Sequence, residues 1–340
     1  MPSRAFITGI SGLQLTAAER DFIRAERPWG FILFKRNVDT PAQVARLVGE
    51  LREAVGEADA PVLIDQEGGR VQRLGPPHWP AYPPGAVFGS LYDRDPALGL
   101  KAARLSNRLI AADLAELGIN VDCLPLADVP VAGADNVIGN RAYGTEPAKV
   151  AAIARAVTDG LEQGGVLPVL KHIPGHGRAT ADSHFRLPTV DTPRSELEKT
   201  DFAAFRPLAD LPMAMTAHVV FSALDPAQPA TTSATIIEQV IRGAIGFQGL
   251  LMSDDVSMNA LAGSIAERTT AIVAAGCDMV LHCNGNLAEM REVAAETPEL
   301  TGSALQRAEQ ALAARKPPLE LDRQAARAEL DALVERVGAA

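Results

Sequence analysis

Short apolar runs recur along this chain between longer amphipathic stretches, and that alternation limits its fold more than any other feature. Eight runs read as strands: Ala5–Thr8, Gly30–Phe34, Val62–Asp65, Asn120–Cys123, Pro168–Lys171, Met213–Ala217, Gly249–Ser253 and Met279–Leu281. All are too short for helices, and most begin after Gly, Pro or Asn, as buried parallel strands do. Helical patterns lie between them at Pro41–Ala54, Pro96–Leu117, Glu146–Gln163 and Ser264–Ala275. Thr40-Pro41 and Thr145-Glu146-Pro147 supply caps and first-turn prolines. Eight strands with intervening helices predict an α/β fold, a closed (β/α)₈ TIM barrel; an open doubly wound sheet is the rival. No break in composition divides residues 1–340, so a single domain is expected. Lys316-Pro317-Pro318 reads as a joint before a C-terminal helical tail, Asp322–Val337.

Composition narrows the function classes. Hydrophobic residues make up 47% and charged residues 22%, enough for a substantial core and too ordered a mixture for general disorder. A formal net charge of −10 argues against a nucleic-acid partner, which needs a clustered positive surface. No run approaches the ~18 apolar residues that span a bilayer. The first twenty residues lack the apolar stretch and cleavage site of a signal peptide. Cys123, Cys277 and Cys283 are odd in number and sit in or beside apolar stretches, which suits buried reduced thiols. These features set the expectation of a cytoplasmic protein with no membrane association.

Polar residues gather at one kind of position. Asp65, Asp122, Lys171, His172, His218, Asp254 and His282 all lie at or just past the C-terminal ends of candidate strands. In a barrel those ends converge on the rim where chemistry occurs.

Three segments carry the chemistry. In Asp65-Gln66-Glu67-Gly68-Gly69-Arg70-Val71-Gln72-Arg73 a carboxylate leaves a strand, a Gly pair permits a tight backbone, and two arginines follow. Asp65 and Arg73 suit hydrogen bonding to neighbouring sugar hydroxyls; the alternative is an internal Asp–Arg structural network. The glycine spacing matches neither phosphate-binding motif. In the second segment, Lys171 and His172 end a strand, and the Pro-Gly-rich run through His176 and Gly177 is a rim loop leading to Asp182-Ser183-His184. Asp182 is close enough to His184 to fix its tautomer, and an imidazole suits proton transfer near neutrality. Zinc binding by His172, His176, His184 and Asp182 is the alternative, although His172-x₃-His176 spans Pro174 and Gly175 and so is no helical pair. A structural role is equally open for His176. In the third, an apolar strand runs into Asp254-Asp255 before Ser257-Met258. A rigid carboxylate at a strand end is what a covalent glycosyl-enzyme mechanism requires. Alternation along the strand lets one of the pair face the site, and Asp255 is the better helix cap. Arg141, in Gly139-Asn140-Arg141-Ala142-Tyr143-Gly144, reads alone as solvated. Neither Ser257 nor Cys283 has the neighbours that a nucleophile needs.

Together these segments resemble the glycoside hydrolase family 3 β-N-acetylglucosaminidases of the single-domain NagZ type. The match runs in order from about Gly30 to Asn284 and includes Phe34-Lys35-Arg36-Asn37; Ile173, where an aromatic is commoner, is a local departure expected to alter packing only. The resemblance implies a retaining β-N-acetylhexosaminidase with Asp254 as nucleophile, His184 as acid/base oriented by Asp182, and Asp65, Arg73, Arg141, Lys171 and His172 binding the N-acetylglucosamine unit. It implies no cofactor and no metal, a monomer, and a carbohydrate substrate: muropeptide fragments in which N-acetylglucosamine is β-1,4-linked to anhydro-N-acetylmuramic acid, in cell-wall recycling. The residues alone give a rim of carboxylates with a His–Asp pair, a hydrolase for a hydroxyl-rich substrate. A phosphorylase, a zinc-dependent hydrolase and an inactive sugar-binding protein are the competing readings. The loop over residues 173–190 is expected to be mobile without substrate.

Overall fold

The computed structural model describes residues 2–183 and 185–338. Eight parallel strands close into a barrel in which each pairs with its sequence neighbours and the last returns to the first. They are β1 (Arg4–Thr8), β2 (Pro28–Leu33), β3 (Val62–Ile64), β4 (Val121–Asp122), β5 (Leu167–Ile173), β6 (Met213–Thr216), β7 (Leu250–Asp255) and β8 (Met279–His282). All eight expected strands are present, and closure removes the open-sheet alternative. The main helices are α1 (Ala17–Glu26), α2 (Pro41–Val55), α3 (Gly85–Arg94), α4 (Pro96–Glu116), α5 (Pro147–Gln163), α6 (Asp201–Phe205), α7 (Ile265–Ala275), α8 (Leu287–Glu296), α9 (Gly302–Ala313) and α10 (Arg323–Gly338). The Thr40 hydroxyl caps α2 as expected, while Glu146 precedes Pro147 at the start of α5 without a side-chain capping bond. Among the described residues no helix is long and apolar enough to cross a membrane.

Strand alternation sorts the core into two parts. One face of each strand points inward: Ile7, Ile32, Leu63, Val121, Leu167 with Val169, Met213 with Met215, Leu250 with Met252, and Met279 with Leu281 form the barrel interior. The other face, including Phe6, Phe31, Leu33, Ile64, Leu170, Ala214, Leu251 and Val280, packs against the helices. Each buried side chain of this kind contributes about 1.5–3 kcal/mol. Ile173, at the end of β5, is fully buried in the helix-facing core. The three cysteines are buried and unpaired.

The same alternation positions the site. Two residues beyond the last apolar inward position of a strand, the next side chain also points in and forms the top layer of the interior. Of the eight positions this rule selects, Phe34 on the β2 line, Asp65 on β3, Lys171 on β5, Asp254 on β7 and Cys283 on β8 line one cavity, while Gly9, Cys123 and Ala217 do not.

Candidate active site

The cavity opens at the C-terminal rim and has a volume of about 260 Å³, small beside the ~300–1,000 Å³ of common ligand clefts. Its wall carries Asp65, Arg73, Arg141, Lys171, His172, Asp182 and Asp254, together with His176, Ser183 and Asp255. Seven of the eight candidate site residues therefore share one cavity; the eighth, His184, lies outside the described residues.

Charged groups are packed beneath and around it. Lys171 Nζ donates to Asp65 Oδ1 at 3.0 Å and lies 2.6 Å from Glu67 Oε1. Arg73 Nη2 donates to Asp65 Oδ2 at 2.8 Å. Arg141 grips Glu67 with Nε at 2.9 Å and Nη2 at 2.8 Å, a two-pronged pair that fixes the guanidinium plane. Burial alone would raise the Asp65 carboxyl, but Lys171 and Arg73 hold it far below the usual carboxylate range. Glu67 is likewise pushed up by burial and brought down to about 2 by Arg141 and Lys171. Burial works against the charges on Lys171 and Arg141 too, yet their carboxylate partners raise both. Asp65, Glu67, Lys171 and Arg141 thus keep their charges at neutral pH.

Gly85, at the start of α3, allows the cluster its geometry. A Cβ there would stand 2.1 Å from the carbonyl oxygen of Arg141. The Gly68-Gly69 pair turns the hairpin carrying Arg73, with φ of 90° and 57°, values that side chains disfavour. Gln66 fastens the return strand: its amide oxygen accepts from the backbone of Arg73 and Leu74, each at 3.0 Å, and its amide group donates to Leu74 O at 2.8 Å.

On the opposite wall, His172 Nδ1 lies 2.7 Å from Oδ2 of the fully buried Asp128, whose Oδ1 accepts from the backbone N–H of His176 at 2.6 Å. Burial opposes ionisation of Asp128, and His172 beside it brings the carboxyl below its ordinary value. With Nδ1 facing a carboxylate, Nε2 of His172 is the nitrogen left for a ligand hydroxyl. Burial, reinforced by His172, lowers His176 to about 4 and keeps it neutral.

Asp254 ends the inward face of β7. Asp255 behaves differently from the cap expected of it: α7 begins ten residues later with Ser264 as its N-cap. Asp255 instead closes a turn, its carboxylate accepting from Ser257 N at 3.0 Å, Ser257 Oγ at 2.7 Å and Cys283 N at 3.1 Å. Alternation was expected to let only one of the two aspartates face the site, but both line the cavity, at a point where the β7–β8 register shifts between Met252 and Asp255. Asp122, His218 and His282 stand at or just past strand ends as expected but do not line the cavity. Each lies on the non-inward parity of its strand. Asp122 is buried under the hairpin, accepting from Gln66 N; His218 is held between Thr231 and the Asp255 carbonyl; His282 pairs with Glu289.

Residues 9–314 match the model of the glycosyl hydrolase family 3 N-terminal domain. The chain belongs to glycosyl hydrolase family 3. Similar proteins include a β-hexosaminidase of Bordetella avium, 38% identical over 290 residues, covering 84% of this chain and 81% of the relative. A β-hexosaminidase of Alkalilimnicola ehrlichii is 40% identical over 282 residues, 81% of this chain and 79% of its own. Among solved structures, native NagZ from Neisseria gonorrhoeae superposes with a TM-score of 0.88 at 31% identity, covering 98% of both chains. That protein has also been solved with N-trifluoroacetyl-D-glucosamine, with a TM-score of 0.88, 31% identity and coverage of 98% and 99%.

For this family 3 glycoside hydrolase, the residues that sequence reading passed over are Glu67 and Asp128. Glu67 sits inside the Asp65–Arg73 segment, but its partners are Arg141, 74 positions away, and Lys171. Asp128 follows no strand recognisable by its apolar run, and only the folded loop brings it to His172. Arg141, which reads as solvated from its surroundings in the chain, is paired and only 11% exposed at its side chain. For Asp65 the two readings merge, since it is ion-paired with Arg73 and also faces the cavity.

Proposed function

We propose that this chain is a retaining exo-β-N-acetylglucosaminidase that releases terminal, non-reducing N-acetylglucosamine from β-linked substrates. The observation that carries the reading is a strand-end carboxylate, Asp254, facing a small cavity lined by Asp65, Lys171, Arg141 and His172, with Glu67 paired to Lys171 and Arg141.

In this mechanism Asp65 accepts from sugar hydroxyls, with Lys171 and Arg73 fixing its oxygens, while Arg73, Arg141, Lys171 and the Nε2 edge of His172 contact the rest of the ring. Asp254 attacks the anomeric carbon as His184, oriented by Asp182, gives a proton to the departing oxygen. A glycosyl–Asp254 ester forms and the glycosidic C–O bond breaks. Water then attacks the same carbon, His184 takes its proton, and Asp254 departs as carboxylate. Two inversions retain the β configuration. No cofactor or metal enters any step, and His184 replaces the carboxylic acid that most glycosidases use.

The β-hexosaminidase names of the relatives and the N-acyl glucosamine held by the Neisseria protein support the sugar assignment. The natural substrate is a muropeptide fragment, N-acetylglucosamine β-1,4-linked to anhydro-N-acetylmuramic acid, handled in the cytoplasm by a monomer during cell-wall recycling. The test is p-nitrophenol release from p-nitrophenyl N-acetyl-β-D-glucosaminide by the native chain and by Asp254→Ala, with and without phosphate. Turnover that needs Asp254 and ignores phosphate is expected. Phosphate-dependent turnover would make the protein a phosphorylase, and full turnover by the variant would remove Asp254 from the mechanism.

A further inference from the structure

Around Asp182 the described residues divide by burial. Asp182 O accepts from the backbone N–H of Phe185 at 3.0 Å and of Arg186 at 3.2 Å. Phe185 is 77% and Leu187 38% exposed. Ser183 is buried, with Oγ 3.1 Å from Nε2 of the equally buried His176.

His176 is itself fixed from behind. Its backbone N–H donates to Asp128 Oδ1, and the other oxygen of that carboxylate holds Nδ1 of His172. The two imidazole rings stand edge to face with centroids 5.6 Å apart. Among the described residues Nδ1 of His176 has no hydrogen-bond partner. A buried orphan N–H costs more than a buried lone pair, so the neutral ring carries its proton on Nε2 and donates it to Ser183 Oγ.

We propose that the buried chain Asp128–His176–Ser183 is a positioning device for the proton-donating run Asp182–His184, seating it against the same carboxylate that orients the sugar-binding His172. Asp128 then registers two parts of the site that different partners of the substrate meet, the sugar ring at His172 and the leaving group at the run. None of the three residues exchanges a proton with substrate. This inference rests on the reading of His184 as the acid.

A positioning role of this kind has a signature that loss of folding lacks. An acidic leaving group departs without protonation, whereas a phenyl or alkyl glycoside needs the acid, which contributes ~10²–10⁴-fold when in place. The experiment measures kcat/KM, which reports the first chemical step, for 2,4-dinitrophenyl and phenyl N-acetyl-β-D-glucosaminides. It compares the native chain, His184→Ala, Ser183→Ala, His176→Phe and the Ser183/His176 double variant. Ser183→Ala is expected to lose at least ~10-fold more on the phenyl glycoside than on the dinitrophenyl one. His176→Phe should show the same bias, and the double variant should be no worse than the poorer single, because both break one contact. Equal losses of Ser183→Ala on the two substrates, with His184→Ala strongly biased, would overturn this inference and leave the acid assignment standing. An unbiased His184→Ala would overturn both. Should His176→Phe fail to fold, the Ser183→Ala comparison decides alone.

Discussion

Replacing Glu67 by Gln tests whether the buried charge cluster is the framework of the site. The substitution keeps shape and volume but leaves Lys171 and Arg141 with one anion fewer, at a residue only 7% exposed. Breaking one side of a buried pair costs about 3–5 kcal/mol. Proton linkage gives the same scale: a carboxyl of ordinary value 4.5 held at about 2 stabilises the fold by about 3 kcal/mol at neutral pH. The sign is fixed by the direction of that shift. A depressed carboxyl contributes its full stability above the unfolded value near 4.5 and loses it as pH falls toward the folded value near 2. The gap between native and Glu67→Gln chains should therefore be about 3 kcal/mol at pH 7, shrinking by about 1 kcal/mol at pH 4 and about 2 kcal/mol at pH 3. Equilibrium urea unfolding followed by circular dichroism at those pH values measures it. On the folded variant, roughly tenfold weaker kcat/KM is expected, as Lys171 and Arg141 lose their fixed geometry. An unchanged midpoint at pH 7, or a gap that widens as pH falls, would refute the assignment of Glu67 as the ionised centre of the cluster.

Asp254→Ala should fold with a native melting temperature and lose ~10⁴-fold or more in kcat, since the proposed nucleophile is gone while the other cavity side chains remain; retained burst kinetics would contradict this. Gly85→Ala forces a Cβ to 2.1 Å from Arg141 O, so about 1–3 kcal/mol of lost stability and a raised KM with little change in kcat are expected from melting and steady-state kinetics. His176 is lowered to about 4 by burial, so the unfolded chain takes up its proton first as pH falls below about 6.5. Its contribution to stability should drop by up to about 3 kcal/mol between pH 6.5 and 4, a loss that His176→Phe would abolish in the same unfolding series.

The barrel was legible because its signal is local and repeated. Each strand is a short apolar run ending at a polar residue, and eight such runs with helical patterns between them leave little choice of architecture. Asp65, Lys171 and Asp254 were legible for the same reason: each lies two residues beyond an inward apolar position, on Leu63, Val169 and Met252. Asp122, His218 and His282 show where counting strand ends fails. They satisfy the rim rule but sit on the wrong parity, and the packing that absorbs them, under the hairpin, at Thr231 and at Glu289, is set by distant segments. The alternation needed to reject them was present in the sequence.

Glu67 and Asp128 were hidden for a different reason, one that says how the site is built. Lys171 occupies an inward position that Leu167 and Val169 fill with apolar side chains lower in the same strand, at 2% exposure. A lone ammonium there would be neutralised by its desolvation. It persists because Asp65 and Glu67 reach it from the loop after β3, and Glu67 in turn needs Arg141 from the loop after β4. Charge satisfaction therefore links three strand ends that no local pattern connects, and the cluster exists only when the barrel is closed. The same holds opposite, where Asp128 joins His172 to His176. Two buried carboxylates, Glu67 and Asp128, thus fix the side chains that line the cavity. Mutations at them should be read first through geometry and stability, and only afterwards through chemistry.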